Sequence, residues 1–227
     1  MRKFFNSLPR LFLLTALFAA GFILPLRAEK PDRTLEEVLQ GIERYYEGLT
    51  SLIAAFDQTV EVPVLEKRER YRGNFYFSKP DLVRLEYTSP KGQLMVADGR
   101  YYWFYQPQDD ISQAMRAPME EAGASVPRYI LGGDLTGKFK IELTGMDERG
   151  GSTCYVLDLV PRESNPYYQD LRAWVDRRSF ATRTVRYEDE SGNFNTFDLK
   201  DLRENIEIKP NKFEFVPPPG TQVLEAR

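Results

Sequence analysis

YRGNFYFSKPDLVRLEYTSPKGQLMVADGRYYWFY, residues 71–105, carries the pattern from which the fold is read. Short runs of aromatic and aliphatic residues are broken by Ser78-Lys79-Pro80-Asp81, by Ser89-Pro90-Lys91-Gly92 and by Asp98-Gly99. Such punctuation marks turns between antiparallel strands, and Asp-Gly suits a two-residue type I′ hairpin, whose central residues need positive φ. The stretch is therefore read as four consecutive strands. Ten of the 25 aromatic residues that follow position 28 lie in it. A sheet with one wet face alternates apolar and polar side chains. Phe75, Phe77, Val83 and Leu85 share one face, but Tyr101-Tyr102-Trp103-Phe104-Tyr105 is aromatic on both. Something must cover the apolar side, either packed protein or an apolar ligand.

The flanking segments offer a cover. Thr34-Leu35-Glu36-Glu37 is a capping box, in which the first and fourth residues satisfy each other's backbone N–H groups at the start of a helix. The helix it opens puts Leu35, Val38, Leu39, Ile42, Tyr45, Tyr46 and Leu49 on one stripe. Core packing is the default reading of such a stripe, and a covered cavity requires the same helix. A strand follows at 51–62 with Leu52, Ala54, Phe56 and Gln58 on one face, then a charged turn at Glu66-Lys67-Arg68-Glu69. Beyond the central strands, residues 107–134 break the pattern. They carry Met115, Met119, Tyr129, Ile130 and Leu131 among prolines and small residues, and a long loop in a compact domain usually has a task. This segment is read as a lid across the sheet. Strands are then expected at 138–144, 153–160, 168–175, 181–188 and 193–203, and a short one at 213–216 before Pro217-Pro218-Pro219-Gly220. The total is about 11 strands in one antiparallel meander.

Residues 1–28 are different material. Arg2 and Lys3 precede a nearly continuous apolar run at 11–23, and Pro25-Leu26-Arg27-Ala28 leads into polar chain. That is the layout of a secretory signal peptide cleaved after Ala28, and the run is short of the roughly 20 residues that span a membrane. Residues 29–227 are read as a single domain. Removing the leader takes away four basic residues and no acid, so the net charge of −3 becomes −7. A surface of that sign argues against nucleic acid as a partner. Cys154 is the one cysteine and no cysteine stands near the cleavage site, so no lipid-attachment point is present there.

Reactive chemistry is absent from the pattern. The chain has no histidine, which removes Ser-His and Cys-His nucleophile pairs and the usual zinc ligands. No GxSxG, P-loop or GxGxxG segment occurs. Glu188-Asp189-Glu190 and the pair Asp198 and Asp201 read as solvated charge at a turn and on a strand. No catalytic residue, metal site or cofactor is assigned, and an enzyme is not expected.

Several pieces together resemble the outer-membrane lipoprotein carrier protein (LolA) family. They are Gly73-Asn74-Phe75-Tyr76-Phe77-Ser78-Lys79-Pro80 running into Val83-Arg84-Leu85-Glu86-Tyr87, then Ala97-Asp98-Gly99, Trp103-Phe104-Tyr105, and Phe213-Glu214-Phe215-Val216-Pro217-Pro218-Pro219-Gly220. The resemblance implies an open, half-closed antiparallel β-barrel with an N-terminal helix and short helices lidding an apolar concave face. It implies a periplasmic monomer that takes triacylated lipoproteins from an ATP-driven inner-membrane transporter and passes them to an outer-membrane acceptor, LolB. The same fold could instead serve a lipid-binding sensor or adaptor, or a carrier of another lipid.

The acyl-chain cavity is expected to be lined by Phe56, Phe75, Phe77, Val83, Leu85, Leu94, Val96, Tyr101 and Trp103. Leu94, Val96, Tyr101 and Trp103 share a face across the Asp98-Gly99 turn, and that face is taken as the concave one. The family typically has an arginine before the proline matched by Pro80, which is thought to bond the lid backbone and hold the empty cavity shut. Here Lys79 stands there, with a point charge in place of a planar five-donor fork. A lid latch at Lys79 is the expectation the resemblance leaves, with a solvated turn lysine as the alternative.

Overall fold

Thr34 starts the first helix as the capping box predicts. Its Oγ1 accepts from the Glu37 N–H (3.3 Å) while the Glu37 carboxylate accepts from the Thr34 N–H (2.7 Å). Helix α1 then runs Leu35–Gly48. The structure, a computed structural model, describes residues 30–107, 111–119, 135–164 and 168–225. Its strands are β1 (Ser51–Val62), β2 (Lys67–Ser78), β3 (Leu82–Ser89), β4 (Lys91–Ala97), β5 (Tyr101–Gln106), β6 (Gln113–Pro118), β7 (Phe139–Arg149), β8 (Ser152–Pro161), β9 (Leu171–Asp176), β10 (Thr182–Glu188), β11 (Phe194–Glu204) and β12 (Gln222–Glu225). A single helical turn, α2 (Leu135–Lys138), precedes β7.

All twelve belong to one sheet in the order β12-β6-β5-β4-β3-β2-β1-β11-β10-β9-β8-β7. The two ends of that order do not pair, so the sheet is open. The predicted four-strand stretch is β2 to β5, paired antiparallel in sequence order. The C-terminal meander, β7 to β11, follows the same rule. One pair is parallel, β12 against β6.

Four details differ from the sequence reading. Part of the expected lid, Gln113–Pro118, is strand β6, because the backbone of β5 needs a partner and register can override the weak strand propensity of its alanines. Residues 213–216 are not a strand: Pro210–Phe213 forms a 3-10 turn, and the proline-rich chain beyond lacks the N–H groups a ladder requires. The pairing is recovered later, in β12. The charged Glu66–Glu69 turn is displaced. The chain reverses on the 3-10 turn Pro63–Leu65 with Glu66 left-handed (φ 49), and β2 already begins at Lys67. The Asp98-Gly99 hairpin has a three-residue loop, closed by Asp98 Oδ1 accepting from the N–H groups of Arg100 (2.8 Å) and Tyr101 (2.7 Å).

The core follows from register. Phe75 pairs with Leu85 and Phe77 with Val83; Leu85 pairs with Met95 and Val83 with Ala97. Directly opposed residues point to the same face, so one apolar face runs across these strands. It continues through Phe56 of β1 to Phe197 and Leu199 of β11, and on to Leu157 and Tyr155 of β8, as one cluster with Val38 and Ile42 of α1 and its C-cap residue Leu49. Each of those three residues is at most 3% exposed, and burying one contributes about 1.5–3 kcal/mol. The sheet wraps around the helix. Tyr46 meets Phe77 on β2 at 6.3 Å, and Gly41 backs onto Phe180 in the β9–β10 turn.

Candidate functional site: an apolar inner face under a fastened helix

The helix is the cover of the inner face, and each of its ends is tied to the rim of the sheet. At the N-terminal end, Asp32 accepts from the Tyr155 hydroxyl (2.7 Å) and from Arg177 Nε (3.0 Å). Arg33 lies 4.9 Å over the Phe180 ring. At the C-terminal end, Lys79 Nζ donates to the Glu47 carbonyl (3.0 Å) and sits 4.7 Å over the Tyr46 ring. From the other side Asn205, itself left-handed at φ 55, accepts from the Thr50 N–H (2.7 Å) and donates to the Gly48 carbonyl (3.2 Å). The last turn of α1 carries no basic residue of its own. Lys79 therefore supplies from the β2–β3 turn the positive charge that a helix C-terminus favours.

The carbonyl that Lys79 holds belongs to α1, not to the 107–134 segment. Tyr129, Ile130 and Leu131, assigned to the lid from the sequence, lie outside the described residues. Lys79→Ala is expected to speed amide exchange in the last turn of α1 while lowering global stability by less than about 1 kcal/mol, since the bond is solvent-exposed. Hydrogen exchange followed by mass spectrometry reads both quantities, and unchanged protection of residues 45–50 would dismiss the fastening.

The N-terminal tie is acid-sensitive. The Arg177 guanidinium, and after it the Tyr155 hydroxyl, hold the Asp32 carboxyl down at about 2. A carboxylate lowered on folding adds stability that is complete above its unfolded value near 4 and lost as pH falls through the folded value. The first turn of α1 is therefore expected to loosen between about pH 4 and pH 2. Backbone exchange at residues 34–38 should show that step in the native chain, and Asp32→Asn should reduce it, leaving the part that belongs to Glu37, whose carboxyl the Thr34 N–H and hydroxyl hold below the usual range.

Phe56, Phe75, Phe77, Val83 and Leu85 all lie on the inner face, each at most 3% exposed, within the cluster that includes α1. Leu94, Val96, Tyr101 and Trp103 do share a face, but it is the outer one. Met95 and Ala97 are the β4 residues opposed to Leu85 and Val83, so the alternate residues Leu94 and Val96 point away. They form a second cluster with Ala114, covered by Phe215 of the C-terminal segment, whose ring is 5.5 Å from Trp103. Arg116 packs on the same patch, 4.7 Å from the Tyr101 ring. Those four residues bind the C-terminal arm to the sheet.

The sequence reading missed Met95, Tyr102 and Phe104 on the inner face of the β4–β6 edge and took Met115 and Met119, which lie with them, as lid residues. Met95 opposes Phe104, and Phe104 opposes Met115; Tyr102 and Met119 border the core. Met95, Tyr102 and Phe104 are half-buried, and Met115 is 45% exposed. The signal was present in the pairing parity of β3 with β4, which a single aromatic strand could not show by itself. Ile141 and Leu143 repeat the feature on β7 at the opposite edge, half-buried against the core. A cleft of about 600 Å³ beside α1 is lined by Leu35, Leu39, Ile42 and Leu135 with Glu36 and Glu43. A trough of about 930 Å³ on the outer face is of another kind, with Arg149, Arg172 and Arg186 around Trp174. Among the described residues no group of acidic or cysteine side chains could hold a metal ion, and no helix is long and apolar enough to cross a membrane.

These features define a class of protein, an open β-sheet curled around a helix that covers an apolar inner face. Residues 47–216 match the model of the outer membrane lipoprotein carrier protein LolA. The chain belongs to that family. An outer-membrane lipoprotein carrier protein from Alkalilimnicola ehrlichii is 29% identical over 215 residues, 94% of this chain and 93% of its own length. The protein of the same name from Chromobacterium violaceum is 28% identical, over 93% of this chain and 95% of that one. Among solved structures, an uncharacterized conserved protein from Thermus thermophilus is similar in fold, with a TM-score of 0.55 at 13% identity over 86% of this chain and all of its own.

Proposed function

We propose that the protein is a periplasmic carrier that binds the acyl chains of triacylated lipoproteins between α1 and the inner face of the sheet. It receives them from an ATP-driven inner-membrane transporter and hands them to an outer-membrane acceptor of the LolB kind. Residues 1–28 act as a cleavable export signal, residues 29–227 form the working domain, and the carrier acts as a monomer. The observation that carries this reading is the extent of the apolar face. It continues beyond the helix to Met95, Tyr102, Phe104 and Met115 at one edge and to Ile141 and Leu143 at the other. Methionine and aromatic side chains suit a surface that repacks around chains of variable shape.

The energetics fit binding without covalent chemistry. Each buried CH₂ contributes about 0.8 kcal/mol, so several long chains hold a lipoprotein in its membrane far too strongly for spontaneous escape. A carrier needs comparable apolar area and a cover that can be displaced. The core beneath α1, with Phe56, Phe75, Phe77, Val83 and Leu85, would become cargo-lining when the helix lifts. Its ties at Asp32, Lys79 and Asn205 include several exposed bonds of modest strength, which favours such a movement.

The test is release from spheroplasts. Newly made, labelled triacylated lipoprotein is incubated with the purified protein, and the supernatant is analysed for a soluble one-to-one complex. Release that depends on the protein is the expected result. With the protein folded and the transporter active, absence of release would overturn the lipoprotein assignment, and mass spectrometry of co-purified lipid would then identify another cargo.

A further inference from the structure

A row of polar side chains crosses the apolar inner face. Gln58, Tyr87 and Asn195 lie on it, 9%, 7% and 7% exposed. The Tyr87 hydroxyl donates to Gln58 Oε1 (3.0 Å), Gln58 Nε2 donates to Asn195 Oδ1 (3.2 Å), and Asn195 Nδ2 donates to Asp189 Oδ2 (3.3 Å). Aromatic rings enclose the row. Phe56 and Tyr71 stand edge-on to Tyr87 at 5.2 and 6.0 Å, and Tyr187 stacks on Phe197 at 6.4 Å. Gln58 follows Leu52 by six residues on β1, and Leu52 is paired with Phe77 under α1. At about 3.4 Å per residue the row lies roughly 20 Å along the strand from Leu52, and two residues beyond Phe56, which belongs to the core under α1.

A primary amide has two N–H donors. Gln58 uses one on Asn195, and Asn195 uses one on Asp189. The second N–H of each has no acceptor among the described residues. In an apolar wall a donor left over is costly, and a ligand carbonyl is what would satisfy it. Resting on the carrier reading, we infer that Gln58 and Asn195 receive the acyl ester or amide carbonyls of the cargo and so set how deep its chains run toward α1. Asp189, behind Asn195, gives the row a direction. Its carboxylate orients the Asn195 amide and repels a second carboxylate, so the site selects neutral acyl esters and amides over free fatty acids. Gln58 and Asn195 are specificity-determining residues in this scheme, while Tyr87 and Asp189 position them.

The test compares two probes on purified protein. One is a synthetic tripalmitoyl-cysteinyl peptide with ¹³C at its ester carbonyls; the other is diphenylhexatriene, a hydrocarbon dye without a carbonyl. The variants are Gln58→Met, which keeps the shape and removes both donors, and Asn195→Leu, which serves if the first fails to fold. Lipopeptide affinity should fall roughly three- to tenfold, the range expected for one hydrogen bond, with dye affinity unchanged. The ¹³C ester band of the bound lipopeptide should lie at lower frequency in the native protein than in the variant. A folded variant that binds the lipopeptide as well as the native protein, or that loses both probes equally, would overturn the inference and leave the carrier reading standing. Native protein that binds neither probe would overturn the carrier reading and this inference with it.

Discussion

Phe56→Ala is expected to destabilise the fold by about 3–5 kcal/mol, the usual range for removing a buried aromatic side chain. Phe56 is 2% exposed and stands where the two halves of the sheet join, because β1 pairs with β2 on one side and β11 on the other. Its ring meets Tyr87 edge-on at 5.2 Å and Phe197 at 5.9 Å. The cross-strand partner on β11 is Leu199 and that on β2 is Gly73, where a Cβ would come within 2.6 Å of the Phe56 ring and 2.2 Å of the Glu86 carbonyl oxygen. Gly73 thus leaves the space the ring occupies, and truncating the ring leaves a hole that nothing on the β2 side can fill. Urea denaturation monitored by circular dichroism measures the change, and a thermal midpoint lowered by about 10 °C or more should accompany it. Phe56→Leu should cost clearly less, since most of the volume is kept. A loss under about 1 kcal/mol for the alanine variant would mean that the core refills around α1, contrary to its present packing.

Gly41→Leu should displace the helix. Gly41 is buried in the middle of α1, and a Cβ at that position would sit 2.3 Å from two atoms of the Phe180 ring. The ring cannot easily yield. It stacks on Tyr155 at 6.4 Å and carries Arg33 at 4.9 Å, and Phe180 itself is left-handed at φ 62. Replacing glycine by a good helix former contributes about 1 kcal/mol, which opposes the clash without matching it. Overpacking of this kind costs about 1–3 kcal/mol, and the added leucine must also find room beyond its Cβ. The expected net result is a helix shifted off the β9–β10 turn, a thermal midpoint lower by several degrees, and stronger binding of a hydrophobic dye to the uncovered inner face. Dye fluorescence at a temperature where the variant remains folded separates displacement of the helix from global unfolding. Unaltered dye binding would show that α1 tolerates the residue in place.

Much of the architecture was legible in the sequence because local chemistry decided it. Thr34 and Glu37 cap a helix whose apolar stripe repeats at the helical period. Turns rich in proline, glycine and aspartate separate β2 to β5, as the alternation of Phe75, Phe77, Val83 and Leu85 requires. Those four residues lie on the inner face because period-two alternation is a property of one strand. Which face of β4 and β5 is inner was not legible, since it depends on how Met95 and Ala97 align with Leu85 and Val83 across a turn. One residue of slip exchanges the faces, so Leu94, Val96, Tyr101 and Trp103 went to the patch under Phe215. The strand at Gln113–Pro118 escaped notice for a related reason: its pairing with β5 and β12 comes from partners distant in the chain. Composition and periodicity by themselves determined a β-rich chain with an amphipathic helix, no histidine chemistry and an apolar face in need of cover. Only the tertiary structure decided what covers it, where Lys79 finds its carbonyl, and that Gln58, Tyr87 and Asn195 meet, because those relations join side chains that no local period connects.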